Sequence, residues 1–366
     1  MSLDSGALNT SNPMVDGGDI DTIKLPGLVS GELYWHIMSV ALTLSGVVSI
    51  FATGANIVTI LVYYKLGFND TTNISLTALA ISDLGVAVTT LVSVLAILLP
   101  LIPNAPFTSD IFITTGPAPH NFFARVSALI TTYLSVERYL CVSLPLKVKS
   151  IFTPKRTFIA MAAIFAGMFS LYPFVVLRYP VGWVFFPDLN KTLLSIPPVT
   201  DQNAHTFCYF LVTYISFFLP PFTFFTVLFT TVSLSLVLKK SKQWRDANKS
   251  MAPAQTTAAE STGDGSAASP ASKPTLVTKE ARAVKMVIAI TTVFIVATIP
   301  SCIHMVVLIL VPEFDFGRRY ANMYAITGML FLCVDCINCS ANVIIYYKMS
   351  SKFRQAMQCL YSRQTK

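Results

Sequence analysis

Charge is scarce in this chain: Asp, Glu, Lys and Arg make up 12% of 366 residues, against 54% hydrophobic residues. A soluble domain carries about twice that share of charge, so the composition excludes an ordinary water-exposed surface. Cysteine is missing where a secreted scaffold would need it. Of seven cysteines, Cys141, Cys302, Cys333, Cys336, Cys339 and Cys359 fall in or beside apolar runs or in the tail. Only Cys208 lies near an external loop, which leaves no pair for an external disulfide. Inside apolar helices Cys333, Cys336 and Cys339 are read as small packing residues. The first 34 residues carry five acids and one Lys, without the basic start, short apolar run and cleavage site of a secretory leader. The first apolar run is expected to act as the signal anchor. The formal net charge of +8 is not gathered into one patch, so no nucleic-acid surface is expected, and no constellation of catalytic residues stands out.

What the chain does have is long apolar runs. Stretches with almost no charge cover about 37–64, 74–102, 119–142, 157–177, 207–238, 286–310 and 320–347. Each is long enough to cross a bilayer, which takes roughly 20 residues. Unpaired backbone groups are too costly in hydrocarbon, so each span must be a helix, and the expected fold is an all-α membrane protein, a seven-transmembrane helix bundle. Pro117 and Pro119 place the start of the third span near Pro119, since proline suits a first helical turn and breaks an interior. Twenty of the 26 Lys and Arg fall in alternate connections and the carboxyl-terminal tail, with five on the other side and Arg125 within a span. Cytoplasmic loops hold the basic excess, so the amino terminus is expected outside and the carboxyl terminus in the cytoplasm.

This topology divides the chain into an extracellular tail over 1–35, the bundle over 36–348, and an amphipathic helix and cytoplasmic tail over 349–366. Within the third cytoplasmic connection, about 243–276, a stretch rich in Ala, Ser, Thr, Pro and Gly has too little apolar surface for a core and is expected to be disordered. Asn9 and Asn190 head glycosylation sequons on the outside, whereas Asn69, Asn73, Asn248 and Asn338 match the pattern in cytoplasmic or membrane positions. After Tyr347, Met349, Phe353, Met357 and Leu360 alternate with Lys352, Arg354 and Arg363 as in a basic helix lying on the membrane surface. Cys359 there is either a palmitoylation site or a plain cysteine.

Motifs now fall at particular ends of particular spans. Glu137-Arg138-Tyr139 closes the third span, and Asn338-Cys339-Ser340-Ala341-Asn342-Val343-Ile344-Ile345-Tyr346 closes the seventh, followed by Phe353-Arg354. Gly54 and Asn56 lie in the first span, Leu79-Ala80-Ile81-Ser82-Asp83 in the second, Ser127 in the third, Pro220 and Pro221 in the fifth, and Phe294 and Pro300 in the sixth. Together they resemble the rhodopsin-like (class A) G-protein-coupled receptors over all seven spans. Departures from the family pattern are Val343 for its span-seven Pro, Thr298 for its span-six Trp, no Trp in span four and no Cys at the outer end of span three. They place the chain in a divergent branch resembling invertebrate chemosensory or peptide receptors. Cys336 stands where an opsin would carry its Schiff-base Lys, so the chain is not an opsin.

The resemblance implies a receptor rather than an enzyme, in the plasma membrane, that passes binding of an extracellular ligand to a heterotrimeric G protein. It assigns the switch to Glu137, Arg138, Tyr139, Glu280, Asn342 and Tyr346, with Arg138 paired at rest to Glu137 and Glu280. It also implies a Na⁺ site at Asp83, Ser127, Asn338 and Asn342, for which a water-filled polar network is the other reading. No other cofactor is implied. Arg125, about 20 Å outward of Arg138 at the helical rise, is either half of an ion pair with Asp335 or a reader of a ligand's carboxylate, sulfate or phosphate. With His120, His304 and Asp335 it forms the expected ligand pocket; His120 occupies the position where amine receptors carry Asp, which argues for an anionic small molecule or peptide over an amine. The alternative class, a transporter or channel, calls for internal repeats with paired broken helices near the midplane, and none is visible.

Overall fold

The computed structural model describes residues 27–98, 105–108, 111–178, 180–197, 202–251, 276–314 and 318–364. Seven long helices form the bundle: α1 (Gly31–Leu66), α2 (Thr71–Leu98), α4 (Pro117–Ser143), α6 (Pro154–Arg178), α7 (Gln202–Met251), α8 (Leu276–Leu310) and α9 (Ala321–Met349). Short helices α3 (Phe112–Thr115) and α5 (Pro145–Ile151) flank α4, and α10 (Ser351–Gln364) follows α9. Among the described residues six helices are long and apolar enough to cross a membrane. The seventh, α4, is the least apolar of the set because it carries His120, Arg125, Glu137 and Arg138. It packs against α2, α6, α7, α8 and α9, so its polar side chains meet protein instead of lipid.

Local chemistry sets the helix ends. The Ser30 hydroxyl accepts from the Leu33 amide at the start of α1, and the Asp70 carboxylate accepts from Thr72 N at the start of α2, as N-caps do. Between them Gly67 adopts φ 79° and its N–H returns to the Tyr63 carbonyl, a stop that suits glycine. At Gly116, a Cβ would collide with Ser93 of α2; its absence lets the start of α4 come close to α2.

The largest core cluster lies at the Arg138 end. It joins Val62 and Tyr63 of α1, Leu76 and Leu79 of α2, Ile130 and Leu134 of α4, Val287 and Ile290 of α8, Tyr346 of α9 and Phe353 of α10. The Tyr63, Tyr346 and Phe353 rings form a triangle with centroids 5.4–5.6 Å apart. At the amino-terminal end a smaller cluster of Tyr34, Met38, Val94, Ile326 and Met329 joins α1, α2 and α9. Val47, Phe51, Phe158, Phe169, Phe225 and Ile303 point outward and are exposed in the isolated chain, as a lipid-facing surface requires.

Two features depart from the composition reading. Residues 243–251 continue α7 and Leu276 begins α8, so helix occupies both edges of the stretch expected to be disordered; residues 252–275 lie outside the described residues, as do Asn9 and most of the amino-terminal tail. The run Lys239–Met251 is mostly made of residues that tolerate a helix, and it simply extends the hydrogen bonding of the span before it. The second departure is a β-hairpin after α6, β1 (Gly182–Phe186) paired antiparallel with β2 (Lys191–Ser195). Asn190, in the left-handed region at φ 48°, makes its turn, and its side chain is exposed.

The hairpin is strapped to the connection after α2. Thr108 N donates to the Leu194 carbonyl at 2.9 Å, Leu194 N donates to the Pro106 carbonyl at 2.8 Å, and the Thr108 hydroxyl adds a bond of 3.2 Å. A backbone strap of this kind contains no sulfur. Mild reductant is therefore expected to leave the thermal stability of the purified protein unchanged, and a non-reduced mass map is expected to show Cys208 uncrosslinked. A peptide joining Cys208 to another cysteine of the chain would overturn this.

Candidate functional site

Three polar constellations line the bundle axis. The deepest centres on Asp83 of α2, which is fully buried. Ser127 Oγ of α4 donates to its Oδ1 at 2.7 Å, and Asn342 Nδ2 of α9 donates to its Oδ2 at 2.8 Å, so one carboxylate ties three helices. Asn338, one turn away on α9, makes no hydrogen bond to it among the described residues. Among the described residues, Asn342 Oδ1 and the Tyr346 hydroxyl are buried without a hydrogen-bond partner. A buried orphan amide oxygen beside a carboxylate and a hydroxyl is a set of hard oxygen donors, which fits a small hard cation and fits bridging water equally.

At one end of the axis Arg138 is clamped. Its Nη2 donates to Glu137 Oε1 at 3.1 Å and to the Thr72 hydroxyl at 2.7 Å, while the Thr71 hydroxyl donates to the same Glu137 oxygen at 2.6 Å. Glu137 is 1% exposed and Arg138 12%, so this pair is shielded and its charge-assisted bonds are stronger than those of a surface pair. Tyr139 packs on Phe229 of α7 with centroids 5.9 Å apart. Glu280 lies in α8, and its side chain is outside the described residues. Thr71 and Thr72 were missed by sequence reasoning; the signal was two hydroxyl residues in the first turn after the Asp70 cap, at the end of the bundle where Arg138 must sit.

Toward the amino-terminal end, His120 of α4 bridges two helices. Its Nδ1 lies 3.0 Å from the Thr90 hydroxyl of α2 and its Nε2 lies 3.0 Å from Asp335 Oδ2 of α9. The His120 side chain is 2% exposed, the Asp335 side chain 31%. The expected Arg125–Asp335 ion pair is therefore not formed: Asp335 is engaged by His120, and among the described residues no carboxylate lies within ion-pairing distance of Arg125. Arg125 sits deep among the helices, within electrostatic reach of Asp335 and of Cys302 on α8, and keeps some accessible surface. His304 of α8 is held apart from this group. Its Nδ1 lies 3.3 Å from the Thr327 hydroxyl and its ring is enclosed by Phe314, Tyr324 and Phe331.

A seven-helix bundle with a clamped Arg at one end, a buried Asp at its centre and a His–Asp bridge toward the other has the anatomy of a receptor. Residues 54–346 match the family model of the seven-transmembrane receptors of the rhodopsin family, and the chain belongs to that family. It is a multi-pass membrane receptor, and not an enzyme. No curated protein gives a significant match to the chain.

Proposed function

We propose that the chain is a plasma-membrane receptor that converts binding of an extracellular ligand into activation of a heterotrimeric G protein. The amino terminus and the β-hairpin face outside, α10 and the Arg138 end face the cytoplasm, and Asn9 and Asn190 carry glycans. The observation that supports this best is the Arg138 clamp. It is made of a few charge-assisted bonds to Glu137 and the first turn of α2, so moderate free energy opens it, and an agonist that prefers the open bundle shifts the population. The ligand pocket is the space bordered by His120, Arg125 and Asp335, with His304 in the adjoining aromatic cluster. Among the described residues no carboxylate lies within ion-pairing distance of Arg125 there, so the ligand is an acidic small molecule or a peptide with a free carboxylate. Lipids cover the outward apolar faces, and a lipid chain on Cys359, which is exposed on α10, anchors that helix.

Asp83, Ser127 and Asn342 hold Na⁺ in the resting state, contributing oxygen ligands and nothing else to the chemistry. The test is nucleotide exchange on purified G proteins with the receptor in sealed vesicles. Agonist-free exchange is expected to exceed that of empty vesicles and to fall when NaCl replaces a matched salt of a larger cation. Asp83→Asn is expected to lose the sodium effect. Solute or ion flux without exchange would overturn the receptor reading; equal sodium sensitivity in Asp83→Asn would leave the cluster a water network.

A further inference from the structure

Between α4 and α6, on the amino-terminal side of the bundle, a groove of about 620 Å³ opens on the surface. Its size falls among small-molecule sites, about 300–1,000 Å³. Phe122 of α4 and Phe165 and Phe169 of α6 form its walls, Ala162 and Ala166 its floor, and Tyr172 one end. The Phe122 ring meets those of Phe169 and Tyr172 edge-on, with centroids 6.3 and 6.1 Å apart. No lining residue carries a charge. Ala162, Ala166 and Phe169 are exposed in the isolated chain, so the groove is continuous with the outward apolar surface of the membrane-spanning bundle, and its occupant comes from the bilayer. From Ala162 to Tyr172 the helix rises about 15 Å, half of a hydrocarbon core about 30 Å thick. The groove therefore has the length of one leaflet.

One end of this apolar slot is polar. Pro173 lies inside α6 and has no N–H, so the carbonyl of Phe169, four residues earlier, loses its helical donor. A backbone group left that way in hydrocarbon is costly unless something else satisfies it. Tyr172, on the same turn, adds a hydroxyl that makes no hydrogen bond among the described residues, although a tyrosine hydroxyl withdrawn from water usually has a partner. The groove thus combines a long uncharged body with one small hydrogen-bonding end.

We propose that this groove is a binding site for a sterol, an uncharged lipid with one hydroxyl on a rigid apolar body. A phosphate headgroup finds no charged partner along the groove, whereas a single hydroxyl donates to the Phe169 carbonyl and meets the Tyr172 hydroxyl. A rigid ring system also loses less freedom in the slot than an acyl chain does, and its flat face rests on Ala162 and Ala166. The site is separate from the His120, Arg125 and Asp335 group. It requires only the membrane-embedded bundle, and neither an agonist nor a G protein.

The site is tested on the full-length protein in phosphatidylcholine nanodiscs, with a cholesterol analogue that carries a diazirine on its ring system, followed by peptide mapping. Label is expected on α4 around Phe122 and on α6 between Ala162 and Tyr172. Excess unlabelled cholesterol is expected to remove it, and the epimer with the hydroxyl inverted to compete weakly. Ala166→Phe fills the floor and is expected to cut the groove label by roughly ten-fold or more, as overpacking does. Tyr172→Phe keeps the wall, removes the hydroxyl and is expected to weaken cholesterol competition by about two- to ten-fold, the worth of one neutral hydrogen bond. Should Ala166→Phe fail to fold, the competition in wild type and in Tyr172→Phe still decides. Label that survives excess cholesterol would overturn the site. So would equal labelling of the groove by a diazirine on a phosphatidylcholine acyl chain with cholesterol present, which makes it ordinary lipid-facing surface. Equal competition by cholesterol and its epimer, with no change in Tyr172→Phe, would overturn the sterol assignment, and a groove unlabelled because a second copy of the chain covers it would overturn the lipid occupant.

Discussion

Arg138→Ala is expected to abolish agonist-driven signalling while leaving the protein at the cell surface. The Arg138 guanidinium holds Glu137 and Thr72, and under the proposed function its release frees the charged group that the opened end of the bundle would present to a G protein. Removing it deletes the contact that the active state needs. Removing its restraints has the opposite effect. A charge-assisted bond contributes about 1.5–3 kcal/mol, so Glu137→Ala is expected to raise agonist-free signalling by roughly ten-fold or more, and Thr72→Val by less because a neutral hydroxyl is lost. Glu280→Ala is expected to act in the same direction as Glu137→Ala. The measurement is second-messenger output normalised to surface receptor. Output from Arg138→Ala matching wild type, with no gain in Glu137→Ala, would remove the clamp from the mechanism.

Arg125→Gln is expected to weaken agonist potency by ten-fold or more, with surface expression and agonist-free signalling intact. A cation at this depth costs about 3 kcal/mol even on the lenient insertion scale, and nothing among the described residues pairs with it. The loss corresponds to about 1.5–3 kcal/mol for a charge-assisted bond to the ligand's acidic group. The geometry also separates this variant from its neighbour. Asp335 already has His120 as partner, so deleting Arg125 strands no carboxylate, whereas Asp335→Ala strands His120 and is expected to lower expression. An agonist without an anionic group whose potency is unchanged in Arg125→Gln would refute the ligand class, and failure of Arg125→Gln to reach the surface would return Arg125 to a structural role.

The spans were legible in the sequence because hydrocarbon permits one backbone solution to a long apolar run. Even α4, the least apolar of the seven, was legible as an almost uncharged run beginning near Pro119. The link from Asn342 to Asp83 is of the same kind, since residues spaced by whole turns share a face. Partner choice across helices was not legible, because it depends on rotation about each axis. Arg125 follows His120 by five residues, which turns it roughly 140° around the helix; the two cannot both face α9, and His120 is the one that does. Asn338 shares a face with Asn342 but sits about 6 Å along the axis from it, out of reach of the carboxylate that Asn342 holds. The hairpin left only a short trace, an aromatic and β-branched run from Trp183 to Phe186 ahead of a Pro-Asp-Leu-Asn turn, between two spans whose signal is far stronger.

The strap between Thr108 and Leu194 makes the attachment of the hairpin a reversible fastening. A disulfide in that place would open only by electron transfer and would have to be made by an oxidising enzyme during biogenesis. Backbone hydrogen bonds form without any oxidant as the loops meet, and they open and close by local unfolding at a free-energy cost well below that of the bundle. Any such opening would register as hydrogen exchange at two backbone amides, those of Thr108 and Leu194.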